Sequence, residues 1–268
     1  MKANVFSLDG KKLKQVELPR VFDTEYRPDL IKRAVLSIQS ARLQPKGTSL
    51  LAGRYNTAMY VGCRRLPEFR RTINVGRARK PRLKNRRELL YGRVADIPGA
   101  VAGPRAHPPR VERVLLERIN KKEKRLATKS AIACTARKDL VIARGNELPE
   151  GIELPVIIEE RIEDLSKTKD VLNVLKALKL VEEVEKAKEK KRVRHGKGKA
   201  RGRKYKKKKS LLFVVAEKKN LVKAARNLEG VDVINARDLN AKVLAPGALP
   251  GRLSIYSEQA IELLGKGF

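Results

Sequence analysis

Apolar residues recur along this chain with two distinct periods, and one long stretch has no period at all. The opening segment, VFSLDGKKLKQVEL, places short apolar-polar runs on either side of Asp9-Gly10. That dipeptide tolerates the positive φ of a tight turn, so the segment predicts a β-hairpin. Pro28 suits a first helical position, and Ile31, Ala34, Val35, Ile38 and Ala41 recur at helical spacing. A helix over about 28–41 follows. Further on, Val111, Leu115, Ile119, Leu126 and Ala133 lie near one stripe of VERVLLERINKKEKRLATKSAIACTA. The spacing predicts one long helix over 111–136 with a wet face.

PVIIEE is a short apolar run suited to a buried strand, and Thr168 with Asp170 starts a helix through DVLNVLKALKL. The strongest pattern is SLLFVVAEKKNLVKAARNLEGVDVINARDL. Its β-branched and aromatic run, Leu211–Val215, precedes a helical pattern of Leu221, Ala224, Ala225 and Leu228, which ends at Gly230 before a second apolar run, Val231–Ile234. Two buried strands separated by an amphipathic helix make a parallel βαβ unit. LSIY repeats the strand, Ser257 is a candidate N-cap, and EQAIELL forms the last helix. The expectation is a three-layer α/β domain (αβα) with a mostly parallel sheet of about four strands, built from 1–41 and 111–268.

Residues 42–110 interrupt that domain without a sustained period, with seven glycines and seven prolines. Ordering so long a loop costs roughly 1–2 kcal/mol per residue, and its scattered apolar residues bury too little to offset this. Its order is therefore expected to come from a partner. Charge identifies the partner's sign. Residues 42–110 carry 17 Lys/Arg against 3 Asp/Glu, and a second segment, 186–209, carries 15 against 1. Each segment contributes +14 of the total +33, so the rest of the chain is close to ordinary. Summed charge of that size favours polyanions, nucleic acid before anionic membrane.

A folded RNA fits the loop better than a DNA duplex, because glycines let the backbone pass between helices while Arg and Lys neutralise phosphates. Tyr55, Tyr60, Phe69 and Tyr91 are interleaved with the cations. Two readings stand for them, stacking on splayed bases or packing on the globular domain. The second segment, KEKKRVRHGKGKARGRKYKKKKS, suits sequence-tolerant phosphate contact, and reads less well as a nuclear-import address.

Catalysis lacks its signatures. The βα turn AEKKN has no glycine, and neither GxGxxG nor GxxxxGK[ST] occurs, so no cofactor is expected. The pairs Glu159-Glu160, Glu163-Asp164 and Glu182-Glu183 read as solvated faces or loops. Cys63 and Cys134 form no CxxC pair, and His107 and His195 have no second ligand nearby, so no metal site is expected. No apolar window approaches about 18 residues and the N-terminus has no signal-peptide core, as expected of a soluble protein that is not secreted by that route.

Several segments carry a family resemblance. A hairpin-plus-helix start, a basic loop ending in GPRAHPPRVE (103–112), RIEDLSKTKDVLNVLKAL (161–178) and DLNAKVLAPGALPGRLSIYSEQA (238–260) resemble, in this order and spacing, the universal family of the fourth large-subunit ribosomal protein, archaeal and eukaryotic type. The resemblance implies a non-catalytic structural constituent of the cytoplasmic ribosome. It places the α/β domain on the outside of the large subunit and runs the loop through large-subunit rRNA. The loop tip would help line the nascent-polypeptide exit tunnel, beside the family of the twenty-second large-subunit protein and in contact with the nascent chain; no membrane is involved. The tip maps to Arg70–Arg87, where FRRTINVGRARKPRLKN has one glycine, Gly76, in place of a glycine-dense eukaryotic pattern. Pro104 stands where a basic residue is usual.

The candidate rRNA contacts in the loop are Arg42, Lys46, Arg54, Tyr55, Tyr60, Arg64, Arg65, Arg70, Arg71, Arg77, Arg79, Lys80, Arg82, Lys84, Arg86, Arg87, Arg93, Arg105, His107 and Arg110. In the second segment they are Arg192, Arg194, Lys197, Lys199, Arg201, Arg203 and Lys204. Arg70, Arg71, Asn74, Gly76, Arg77 and Arg79 are the candidates for the tunnel wall. His107 has two readings, a hydrogen bond to RNA or closure of the loop base near Val111. Two rival functions remain at this stage, a duplex-DNA-binding chromatin protein and an RNA-modifying enzyme with a cofactor pocket in the α/β domain.

Overall fold

The computed structural model describes residues 1–59, 78–84, 89–149, 151–217 and 220–267. The chain divides into a unit of Met1–Arg42 with Leu116–Phe268 and a unit of Leu43–Leu115.

The first unit is built on a six-stranded sheet. Strands β1 (Lys2–Phe6) and β2 (Lys12–Glu17) form the antiparallel hairpin expected around Asp9-Gly10. Gly10 has φ 80°, and the Ser7 hydroxyl accepts from the N–H groups of Asp9 and Lys11, which closes the turn. Strands β3 (Val156–Ile158), β6 (Leu212–Val215), β7 (Asp232–Asn235) and β8 (Ser254–Ser257) complete the sheet in the order β2-β1-β3-β8-β6-β7. All neighbours except β1 and β2 are parallel. The four apolar runs read from the sequence are therefore present, and the hairpin adds two strands because β1 pairs with β3 through Val5 and Phe6. A separate two-stranded ladder joins β4 (Arg192–Val193) and β5 (Tyr205–Lys206).

The inner strands read as continuous apolar runs because both of their faces are covered. Ala3, Val5, Ile157, Leu212, Val214 and Tyr256 point into one core. That core is filled by α1 (Pro28–Ser40), α2 (Lys121–Ala136), α7 (Ala241–Leu244) and α8 (Glu258–Gly267). Phe6, Val156, Ile158, Leu211, Phe213, Val215 and Ile255 point into the other, against α4 (Thr168–Ala177), α5 (Val181–Glu189), α6 (Leu221–Ala225) and Val141 of α3 (Lys138–Ala143). Alternate residues of one strand thus serve opposite layers, which is the three-layer arrangement.

Two helices depart from expectation. The helix expected over 111–136 begins only at Lys121. Glu123 accepts from the N–H of Asn120 at 3.4 Å, half of a capping box that starts the helix there and leaves Val111 exposed. Of the expected stripe, Ala133 is buried along with Ala127, Ala131, Ile132 and Cys134, while Leu126 is 40% exposed. The helix through DVLNVLKALKL stops at Ala177, where Lys179 at φ 52° turns the chain and lets Leu178 and Leu180 both bury.

Candidate nucleic-acid interface

The chain leaves the α/β unit after α1 and returns before α2, and the exit and entry points are tied together. The N–H of Glu117 donates to Ser40 Oγ at 3.0 Å, and Ser40 Oγ donates to the carbonyl of Ser37 at 2.8 Å. Within the second unit, Thr48 N–H donates to the Pro109 carbonyl at 3.3 Å, which lays the outgoing and returning arms side by side. Gly53 shows how closely they pass. It sits at φ +82°, and a Cβ there would meet Pro104 N at 2.4 Å. Only glycine permits that approach.

Among the described residues, 43–115 contain no helix, but they are not featureless. Met59 and Arg82 exchange backbone hydrogen bonds at 3.1 and 3.2 Å. Leu83 N–H bonds the Arg93 carbonyl at 2.9 Å and Ala95 N–H the Pro81 carbonyl at 3.1 Å. Three short antiparallel passes result, with Ala95 buried among them. Local order of this kind has no apolar period, which is why composition alone hides it.

The described cations of the loop separate into two groups. Arg82 is half-buried, and its guanidinium donates to the carbonyls of Gly92 at 2.8 Å and Ala78 at 3.0 Å. Arg54 lies 3.6 Å from Asp96. These two brace the loop itself. Lys46, Arg79, Lys80, Lys84, Arg93, Arg105 and Arg110 are exposed, as is Arg42 at the end of the α/β unit. Tyr55 is 74% exposed, its hydroxyl 3.2 Å from Ser49 Oγ, and Tyr91 is 64% exposed, so neither ring is packed away. His107 is exposed and lines a shallow concavity with Lys46, Arg105 and Arg110. Tyr60, Arg64, Arg65, Phe69, Arg70, Arg71, Asn74, Gly76, Arg77, Arg86 and Arg87, together with Cys63, lie outside the described residues.

The second basic segment is partitioned more sharply. Its roots are tied to the α/β core. Lys208 reaches the buried Glu183 at 3.0 Å, Lys209 reaches Asp232 at 2.7 Å, and Lys191 and Lys207 meet Glu229 at 3.4 and 3.1 Å. Between the roots, β4 and β5 pair and Arg194 N–H bonds the Lys204 carbonyl at 2.7 Å. The turn carries Arg192, Arg194, Lys197, Lys199, Arg201, Arg203 and Lys204, all exposed and none in an ion pair among the described residues. Lys191 and Lys204 lie 5.1 and 5.6 Å from the Tyr205 ring centroid, which steadies the stem through cation–π contact.

Buried charge elsewhere is structural. Glu163 is fully buried, not solvated as its sequence context suggested. It accepts from Ser257 Oγ at 2.6 Å and from the N–H groups of Ala216 at 2.7 Å and Glu217 at 3.2 Å. Ser257 Oγ also accepts from Ala260 N–H, capping α8 as its sequence position predicts. Glu183 is likewise buried, held by Lys208 and the Glu147 N–H. Arg252 is 1% exposed, and its guanidinium donates to the carbonyls of Ser210, Leu211, Gly230 and Val243 and to Asp232. Burial works against the charge of Arg252, and Asp232 offsets part of that loss. Burial also opposes ionisation of Asp232, yet Lys209 and Arg252 hold its carboxyl below the usual range. Burial pushes the Cys134 thiol up to about 11, leaving it inert. Among the described residues there is no cluster of three metal-ligating side chains.

Comparison with known proteins assigns the chain. The model of the ribosomal protein L4/L1 family matches residues 16–267. The chain belongs to the ribosomal protein L4/L1 family. Members named large ribosomal subunit protein uL4 are similar along its whole length. That of Methanocaldococcus jannaschii is 49% identical over 268 residues, covering all of both chains. That of Methanococcus vannielii is 47% identical over 268 residues, again covering all of both. That of Archaeoglobus fulgidus is 47% identical over 266 residues, 99% of each. The L4/L1 match includes both the loop and the 192–206 hairpin, so neither basic segment lies outside the span the family shares.

Proposed function

We propose that this protein is a non-catalytic structural constituent of the large ribosomal subunit in the cytoplasm, bound to large-subunit rRNA through its basic loop and hairpin. Full-length similarity to large ribosomal subunit proteins carries this reading. The geometry supports it: exposed, unpaired cations sit on segments whose own packing is minimal, while the α/β unit uses its buried charges internally. On this reading residues 42–110 thread between rRNA helices, and Arg70, Arg71, Asn74, Gly76, Arg77 and Arg79 face the exit tunnel, near a member of the twenty-second-protein family and the nascent chain. His107, exposed beside Arg105 and Arg110, contacts RNA.

Co-sedimentation with large subunits through high salt tests the assignment, since retention is expected and release into the free fraction would contradict it. A chromatin role would show instead as preference for duplex DNA over structured RNA in a salt-matched competition. For an RNA-modifying enzyme, binding of a nucleotide or methyl donor to the α/β unit is the required observation.

A further inference from the structure

β7 ends the sheet on the side away from the hairpin, and among the described residues β6 is the strand that pairs with it. All four of its residues are half-buried, whereas β6 and β8 are buried throughout. Asp232 N–H donates to the Leu211 carbonyl at 3.2 Å, so the backbone of Asp232 faces β6. Successive residues of a parallel ladder turn their N–H and C=O to opposite sides, which directs those of Val233 away from β6.

That open side lies in a groove of about 580 Å³, with residues 231–234 along its floor. The two helical layers overhang it. Val222 and Arg226, in and just after α6, line one wall, while Arg42, just beyond α1, and Lys242 and Val243 of α7 line the other. Among the described lining residues Asp232 alone is acidic, and Lys209 and Arg252 already hold it. Arg42, Arg226 and Lys242 have no carboxylate partner among the described residues. Burial pushes the Lys242 amine below its ordinary value and the nearby Arg42 pushes it further, so like charge accumulates here without compensation from the fold.

The floor decides between the polyanions that such a groove attracts. Phosphates of a nucleic acid only accept hydrogen bonds, which leaves a buried carbonyl of the strand border without a donor. An extended polypeptide presents N–H and C=O together at the strand's own spacing, and pairs with both. Its side chains alternate between the two walls, and each wall combines a valine with at least one cation. The complementary segment therefore carries apolar and acidic residues on both of its faces.

We propose that the β7 border is a docking site for an extended acidic segment of another protein, which joins the six-stranded sheet as one more strand. This goes beyond rRNA binding through the loop and hairpin and does not depend on it.

The test uses the full-length protein and a fluorescent peptide made of two Glu-Glu-Val-Val repeats, a pattern that alternates Glu and Val on each face of a strand. Binding should slow hydrogen exchange of the Val233 amide. The same peptide N-methylated at every residue keeps its charge but loses its backbone donors, and should bind about tenfold more weakly or worse. The variant Arg42→Gln/Arg226→Gln/Lys242→Gln should lose about tenfold in affinity for the unmethylated peptide. Val233→Pro removes the outward N–H, a change that a sheet border tolerates, and should weaken binding while far-ultraviolet circular dichroism stays as in wild type. Should that variant unfold, the methylated peptide on wild-type protein still decides. Equal affinity for the two peptides would overturn the proposal by reducing the contact to net charge, and absence of peptide binding would overturn it outright. Slowed Val233 exchange in the presence of a large-subunit rRNA transcript, and not of the peptide, would also overturn it by assigning the groove to RNA.

Discussion

Arg252 is the residue on which the α/β unit most depends. It lies just before β8 and ties together four backbone carbonyls from three separate segments and one carboxylate. Replacing it with Met retains much of the volume but orphans those acceptors, and a loss of about 3–5 kcal/mol is expected in urea unfolding. Asp232, its partner, provides a pH test. Its folded-state pKa lies below the ordinary 3.8, so its stabilising contribution is complete above that value and is lost as pH falls through the lower folded value. Asp232→Asn should therefore be less stable than wild type at neutral pH, with the difference shrinking on the acid side of about pH 4. Sequence reading saw neither role. Glu163 and Glu183 looked like members of solvated pairs because their partners, Ser257, Ala216 and Lys208, are 25 to 94 residues away. Sequence spacing carries no trace of such contacts.

Elements were legible where one physical cause dominated. The hairpin at Asp9-Gly10, α1 behind Pro28 and the buried strands each announce themselves through turn chemistry, capping or continuous apolarity. The start of α2 was hidden because Val111, Leu115 and Ile119 mimic a helical stripe in chain that is not helical, while the Asn120 and Glu123 signal was the informative one. The second basic segment shows the same limit, since fifteen cations that look alike in sequence fall into roots and turn only when their partners are seen. A paired comparison checks this division. Neutralising Arg194, Lys197, Lys199 and Arg201 to Gln should lower RNA affinity and flatten its salt dependence, leaving unfolding unchanged. Neutralising Lys208 and Lys209 should do the opposite, destabilising the fold by about 1–3 kcal/mol because Glu183 and Asp232 each lose one of their charged partners.

For the whole molecule, the structure separates a unit with two well-filled cores from a unit of short backbone passes whose described large side chains are mostly exposed. Leu50 is 95% exposed and Val101 94%, levels that an isolated folded domain would not choose for its apolar residues. Limited proteolysis of the free protein should nick first within 42–110, while rRNA should protect that region. Equal resistance of loop and α/β core in RNA-free protein would contradict the view that a partner completes the loop.

β2 occupies one end of the sheet order, its side chains exposed except for the half-buried Val16, and among the described residues β1 is the strand that pairs with it. An unguarded strand of this kind is a template for joining a second copy side by side. Here Lys12 and Lys14 stand along it, and Lys14 is anchored to Glu258 at 2.6 Å. Two such borders approaching each other would bring like charges together, on molecules that already repel. The excess of cations that favours a polyanionic partner therefore also opposes the pairing of this border with a second copy.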